Sequence, residues 1–178
     1  IYTELFEMSP SDRDIRLNLS RLAASTGQWE QLLETYDSTI NENFDLANAQ
    51  RVDLLLEKAE VLEERLEQLD DATEVYDEVL LEEPDNQQAL EAMERLLTRK
   101  EDWERLADFY RDRAGKSDTE DRVYWLEREA TIYDDVLQDI DRSIESYFRL
   151  LEENDQNRGA VEALVRLLGH RNRWHDLA

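Results

Sequence analysis

Apolar residues recur along this chain with the spacing of one face of an α-helix. Between residues 103 and 110 they fall at i, i+3, i+4 and i+7, which places them on a single stripe. The same spacing returns in residues 29–36 and, with smaller residues at the second position, in 69–76 and 140–147. Each of these segments is therefore predicted to be a helix that faces a core.

A tyrosine ends each stripe, and the tyrosines mark a repeat. Successive members are separated by 34, 40, 34 and 37 residues: Tyr2, Tyr36, Tyr76, Tyr110 and Tyr147. A period in this range is typical of stacked helical hairpins. The sequence thus predicts an all-α fold, an α-α superhelix (right-handed solenoid) of antiparallel hairpins with about 11 helices. The tyrosines are interpreted as packing residues.

A longer register is superimposed on this period. A shift of 71 residues superposes 51–106 on 122–177 without a gap, and a shift of 74 carries Trp29 onto Trp103. Under the first shift Trp103 falls on Trp174, so the repeating unit is a pair of hairpins. The chain is expected to be one array, a fragment of a longer one, with repeat units at about 1–9 (partial), 11–44, 48–84, 86–118, 120–154 and 156–178 (partial).

Helix boundaries are indicated by capping residues. Four residues are predicted N-caps: Asp70, Asn86, Asp141 and Asn157. Gly27 and Gly169 suit helix C-termini, and Pro10 and Pro84 prevent continuation of the preceding helix. Longer loops are predicted near 38–47 and 114–120.

Composition restricts the function classes. The chain has 45 acidic and 21 basic residues and a net charge of −24, which repels nucleic acid and anionic membranes and attracts basic partners. Without cysteine it has no disulfide or thiolate site. The two histidines, His170 and His175, lack the i, i+4 spacing of a helical metal pair. We predict no catalytic residues, no metal and no cofactor.

The segment LDDATEVYDEVLLEEPDN resembles the tetratricopeptide repeat family. Helix B of that family carries a small residue four before an aromatic, then an aliphatic pair and a proline eight after the aromatic. The matching residues are Ala72, Tyr76, Val79, Leu80 and Pro84. The other copies depart from it at Leu32, Leu106, Phe44, Asp118 and Asp155, and helix A lacks the usual glycine. The resemblance implies a scaffold that binds proteins or peptides in a concave groove lined by the A helices.

The same resemblance assigns groove positions on the A helices. These are Leu54, Glu57, Val61 and Glu64; Gln88, Glu91, Arg95 and Thr98; Trp125, Arg128, Ile132 and Asp135; and Glu162, Arg166 and His170. At five of them the family's clamp for acidic tails of heat-shock chaperones would need lysine or asparagine, and this chain has acids instead. Binding of that kind is not expected.

Two features of this set have alternative interpretations. Arg21, Arg95 and Arg166 occupy one groove position in successive double units and could bind acidic groups of a partner. Alternatively, Arg95 and Arg166 form local i, i+4 pairs with Glu91 and Glu162.

Trp125, with Ile132 and Val136, forms an apolar stripe on the A helix that contains it. An exposed tryptophan in a groove could anchor a peptide. Packing against neighbouring repeats explains the stripe equally, and Leu54 with Val61 shows it at the matching place.

Two functions fit this sequence. The first is a non-enzymatic scaffold that binds a protein or peptide segment, with basic groups attracted by the acidic surface. The alternative is a structural spacer or self-association element of a larger protein, with no ligand in the groove.

Overall fold

A computed structural model describes residues 6, 9–10, 12–42 and 46–170, without the side chains of Thr119 and His170. Within these residues it contains nine α-helices and no strand. Their bounds are α1 Arg13–Thr26, α2 Trp29–Glu42, α3 Asn48–Glu64, α4 Leu69–Glu82, α5 Gln87–Arg99, α6 Trp103–Lys116, α7 Thr119–Thr131, α8 Ile140–Glu153 and α9 Arg158–His170. The predicted all-α class is confirmed. The two further predicted segments, around Tyr2 and Trp174, lie outside the described residues.

The helices form two compact units, Ile1–Leu96 and Leu97–Ala178, here called unit 1 and unit 2. In unit 1, α1 contacts α2, α2 contacts α3 and α3 contacts α4; in unit 2, α6 contacts α7, α7 contacts α8 and α8 contacts α9. Short turns join consecutive helices, as in antiparallel helical hairpins. The odd-numbered helices are called A helices and the even-numbered ones B helices.

Each unit has its core on the predicted stripes. In unit 1, Tyr36 and Tyr76 are each 1% exposed and pack with the apolar faces of α3 and α4. In unit 2, Leu126, Leu150 and Ala160 form one buried cluster with Trp125 and Tyr147 against it. The C-terminal end of unit 2 has a second cluster made by Ile144, Leu164, Leu167 and Leu168.

The small residues on α4 and α8 allow close packing without loss of hydrogen bonds. Thr73 and Ser143, which are 71 residues apart, are fully buried. Each hydroxyl donates to the carbonyl four residues earlier, at Leu69 and Asp139, at 2.6 Å. Their polar groups are therefore satisfied inside the helix.

All four turns from an A helix to a B helix use the left-handed backbone region. The residues are Gly27, Glu67, Glu101 and Gln138, with φ of 74°, 55°, 54° and 54°. Three of the four are not glycine, although only glycine adopts this region without steric cost. The sequence signal for these turns was consequently visible at Gly27 alone.

Several predicted boundaries need correction. Asn86 and Asn157 cap their helices by accepting from the backbone N–H of Ala89 and Ala160, as predicted. Asp70 and Asp141 do not act as N-caps, because they lie inside the first turns of α4 and α8. Those helices start earlier, and the α8 cap is Asp139, which accepts from the N–H of Arg142 at 3.0 Å.

The two predicted long loops are shorter than expected. Helix α2 continues to Glu42, and α6 continues to Lys116 because Arg113 and Ala114 are buried in its last turns. Gly27 does end α1 in the left-handed conformation, whereas Gly169 still lies within α9. Helix α7 is followed by a π-helical turn at Ile132–Val136.

Candidate functional site

Unit 1 has a groove along its A helices. A pocket of about 240 Å³ lies between α1 and α3, and one of about 250 Å³ lies between α3 and α5. Both pockets are lined by Glu60, so they adjoin along α3. We call this surface the unit 1 groove. It is the place where A helices present side chains that no B helix covers.

The floor of the first pocket is a tyrosine bound to an ion pair. Tyr36 of α2 donates its hydroxyl to Glu57 Oε2 at 2.9 Å, and Arg16 of α1 donates through Nε to Glu57 Oε1 at 2.8 Å. Burial, and then the Glu57 carboxylate, raise the pKa of Tyr36. The contact thus joins A helices α1 and α3 across the B helix between them.

The second pocket has the same chemistry with a different arginine. Tyr76 of α4 donates to Glu63 Oε2 at 3.5 Å, and Arg95 of α5 holds Glu63 through Nε and Nη2 at 3.0 and 2.7 Å. The hydrogen bonds with Glu63 raise the pKa of Arg95. Glu63 is 8% exposed, so this paired fork neutralises an almost buried carboxylate.

An equivalent triad lies in unit 2, displaced by 71 residues at all three positions. Tyr147 donates to Asp134 Oδ2 at 3.2 Å, and Arg166 of α9 donates to the same oxygen. Burial, and then Asp134, raise the pKa of Tyr147. Glu63 becomes Asp134 under the shift, and the carboxylate is again nearly buried, with 6% of the side chain exposed.

These triads show what the arginines at the predicted groove position contact. Arg95 and Arg166 bind carboxylates of the preceding A helix, not Glu91 and Glu162 of their own helices. Glu91 instead accepts from the Gln87 side chain at 2.7 Å, and Glu162 is exposed. Arg21, the third member of the row, is exposed. The local-pair interpretation is therefore wrong in its partners.

Glu60 differs from the other acids of the groove. Its carboxylate accepts from the Gln88 side chain at 2.7 Å, and no cation of the described residues pairs with it. Burial raises its pKa, and the neighbouring carboxylates of Glu64 and Glu57 raise it further. A positive group placed at this point would relieve that repulsion.

The A-helix face of unit 2 is chemically different. Trp125 is half-buried and stacks on Tyr110, with ring centroids 5.8 Å apart and planes at 28°. The Arg128 guanidinium lies 4.9 Å over the ring of Tyr124 and donates to the Tyr110 hydroxyl at 3.4 Å. Trp125 is thus engaged in packing, and the exposed aromatic here is Tyr124.

The remaining predicted groove positions divide into packing and surface residues. Leu54 is fully buried and Val61 is 8% exposed, so both belong to the core of unit 1. Ile132 is half-buried, and Asp135 and Thr98 are exposed. The side chain of His170 is outside the described set.

Sequence reasoning missed a second repeated constellation. Arg51 donates to the Ile40 carbonyl at 3.2 Å and pairs with Glu82 at 3.3 Å, thereby joining α2, α3 and α4. Arg122 donates to the Ser117 carbonyl at 3.1 Å and pairs with Glu153 at 2.9 Å. The signal was available, because the shift of 71 carries Arg51 onto Arg122 and Glu82 onto Glu153.

A buried carboxylate in unit 2 was also missed. Glu129 of α7 is fully buried and is held by Arg111 of α6 at 2.8 Å and Arg149 of α8 at 3.2 Å. Arg111 also donates to the Tyr133 hydroxyl. This network ties three helices together.

Metal and membrane sites are not supported by the described part of the chain. It contains no group of three or more His, Cys, Asp or Glu side chains placed to hold a metal ion. Its helices also include none with the length and apolar character needed to cross a membrane.

Comparison with known proteins adds a family match. Residues 89–122 match the model of the tetratricopeptide repeat. No curated protein matches the chain.

Three solved structures are similar to it. These are the MamA RS-1 ArsTM double mutant (14% identity, TM-score 0.46, 89% of this chain and 84% of that chain), a tetratricopeptide repeat protein from Parabacteroides merdae (16%, 0.46, 97% and 65%), and YrrB, described as a tetratricopeptide repeat protein with an unusual peptide-binding site (14%, 0.39, 97% and 84%). With the family match on residues 89–122 and helical hairpins in each unit, the chain is a tetratricopeptide-like helical repeat array.

Proposed function

We propose that this chain is a non-enzymatic scaffold that binds a segment of a partner protein in the unit 1 groove. The observation that supports this most strongly is the pair of adjoining pockets that share Glu60. Together they line three successive A helices with both aliphatic and charged side chains. A tetratricopeptide-like array is a scaffold for protein interactions, and the groove gives that general role a location.

The groove has features that suit an extended segment. Leu17 is 48% exposed at its edge, and Tyr36 and Tyr76 form its floor. The arginines on the floor are held by internal carboxylates, so the groove keeps its shape without a ligand. A preorganised site loses little entropy when it binds.

Filling the groove tests the proposal. Ser20 lines the first pocket, and Ser20→Trp would place an indole in it. Ser38 is exposed on the B helix α2, so Ser38→Trp is the matched control. A phage-displayed library of random 12-residue peptides is panned on the wild-type protein, and selected peptides are measured by calorimetry on all three proteins.

We expect peptides that bind the wild type and the Ser38 variant equally, and the Ser20 variant at least tenfold more weakly. Peptides that bind both variants equally would place binding elsewhere and contradict the proposal. If the library yields no peptide, the spacer or self-association alternative is favoured. Sedimentation over a wide concentration range then separates its two forms, because only self-association gives oligomers.

A further inference from the structure

We infer that the partner segment carries a lysine or arginine whose cationic group binds Glu60. This inference rests on the proposed function and specifies the chemistry of its ligand. It is carried by three observations in unit 1: the position of Glu60, the commitment of the other groove acids, and the aliphatic lining beside it.

Glu60 stands where the two pockets adjoin, so a side chain that enters either pocket reaches it. Its carboxylate accepts one amide hydrogen bond, from Gln88. A carboxylate has about four acceptor positions, so most of its capacity is open to a ligand.

The other carboxylates of the groove floor are already neutralised. Glu57 is bound by Arg16 and Tyr36, and Glu63 is bound by Arg95 at two atoms. A partner cation at either would have to displace an arginine that is fixed by packing. At Glu60 no such competition exists, and the unrelieved repulsion from Glu57 and Glu64 favours a cation.

The lining of the first pocket suits the stem of a long basic side chain. Leu17 and Val61 are aliphatic, and Ser20 is small. Lysine and arginine place their methylene groups on such surfaces and keep the charged end at a polar group. Arg13 also lines this pocket and disfavours a second cation at its own end. Charge complementarity therefore selects one basic residue at Glu60.

The net charge of −24 supports the same partner. Such a field attracts cationic segments over several ångströms and raises their rate of encounter. It cannot by itself position a residue, since the acids are distributed along the whole chain. A specific role for Glu60 is thus separable from general attraction.

The experiment uses peptides selected on the wild-type protein and three protein variants. Glu60→Gln removes the carboxylate charge, and Glu74→Gln makes the same change in net charge on an exposed position of the B helix α4. Each lysine of a selected peptide is replaced in turn by norleucine, which keeps the stem and removes the charge. The groove-filling Ser20→Trp variant reports whether a peptide uses the groove at all.

We expect the selected peptides to contain lysine or arginine, and Glu60→Gln to weaken them roughly tenfold while Glu74→Gln changes affinity less than twofold. One norleucine substitution should weaken binding to the wild type and have little effect on the Glu60 variant. Groove-dependent peptides without a basic residue, or equal effects of the two glutamine variants, would overturn the inference and leave the proposed function standing. Peptides insensitive to Ser20→Trp would overturn both.

Discussion

At the contact between a B helix and the next A helix, the two units use opposite charges. Unit 1 pairs Asp37 of α2 with Lys58 of α3 at 2.5 Å, whereas unit 2 pairs Arg111 of α6 with Glu129 of α7 at 2.8 Å. The positions correspond, since 37 and 111 differ by 74 and 58 and 129 differ by 71. The repeat therefore maintains an ion pair at this contact without maintaining the sign of either partner.

The swap changes how deeply the pair is buried. Glu129 has no exposed side-chain surface, whereas Asp37 is 45% and Lys58 18% exposed. Arginine has five donors in a planar fork, so Arg111 can bind both Glu129 and the Tyr133 hydroxyl. A third position is swapped as well: Arg149 also binds Glu129, and its counterpart 71 residues earlier is the exposed Glu78. A fully buried carboxylate is thus accompanied by a second cation.

The largest test of this comparison removes the charge of the buried acid. Glu129→Gln leaves two arginines without their common carboxylate, and we expect the free energy of unfolding to fall by about 3 kcal/mol, because breaking a buried ion pair leaves charge uncompensated. Lys58→Gln in unit 1 should cost only about 0.5 kcal/mol, since Asp37 is half exposed. Urea unfolding followed by circular dichroism measures both. Equal losses would show that burial does not distinguish the two contacts.

A second test concerns the contact that the units share. Arg95→Ala and Arg166→Ala each leave a nearly buried carboxylate without its cation, and each should destabilise the chain by about 2 kcal/mol. Because the triads are equivalent, the two losses should agree within roughly 0.5 kcal/mol. Arg21→Ala is the control, since Arg21 is exposed at the same repeat position and should change stability by less than about 0.5 kcal/mol. A loss confined to one unit would contradict the equivalence of the triads.

A third test uses alkaline pH, where tyrosines in the two units differ in their neighbours. Tyr36 donates to Glu57, and burial and that carboxylate raise its pKa. Burial also raises the pKa of Tyr133, but Arg111 and Arg142 oppose the rise. A raised folded pKa gives a contribution to stability that is present below the unfolded value of about 10 and is lost as the pH rises through the folded pKa.

Consequently, stability should fall as the pH rises above about 10, and Tyr36→Phe should reduce that pH dependence more than Tyr133→Phe. At pH 7 the Tyr36 variant loses a hydrogen bond to a charged group and about 1.5 kcal/mol. Urea midpoints measured from pH 7 to 11 give both quantities. A steeper fall in the Tyr36 variant, or a larger flattening in the Tyr133 variant, would contradict the assigned neighbours.

The fold class could be predicted because it depends on periodicity alone. The stripes that end at Tyr36, Tyr76 and Tyr110 require only that apolar residues recur on one helix face. Capping by Asn86 and Asn157 was equally readable, since their side chains act within three residues. Asp70 and Asp141 misled, because an acid in the first turn and an acid at the N-cap have similar sequence signatures.

The site was less predictable because its contacts join different helices. The repeat register placed Arg95 and Arg166 at one position, but their partners, Glu63 and Asp134, lie 32 residues earlier in the chain. Local spacing favoured Glu91 and Glu162 instead. The 71-residue shift also relates the partners, so correlation of charged positions across the register could have found them. Burial of Glu129 had no comparable signal, since its counterpart is a lysine.

The smallest effect concerns the four turns from A to B helices, where the units again share a backbone and differ in sequence. Glu67 in unit 1 and Gln138 in unit 2 have φ of 55° and 54°, which side chains with a Cβ adopt at a cost. Glu67→Gly and Gln138→Gly should each stabilise the chain by about 1 kcal/mol, less the extra freedom that glycine gives the unfolded state. Gly27→Ala should destabilise by a similar amount through backbone strain alone, because a Cβ there meets no atom within 4 Å. Thermal midpoints of the three variants test this. If Gly27→Ala were neutral, the left-handed turn would be imposed by helix packing strongly enough to make the residue irrelevant, and the gains at Glu67 and Gln138 should then vanish as well.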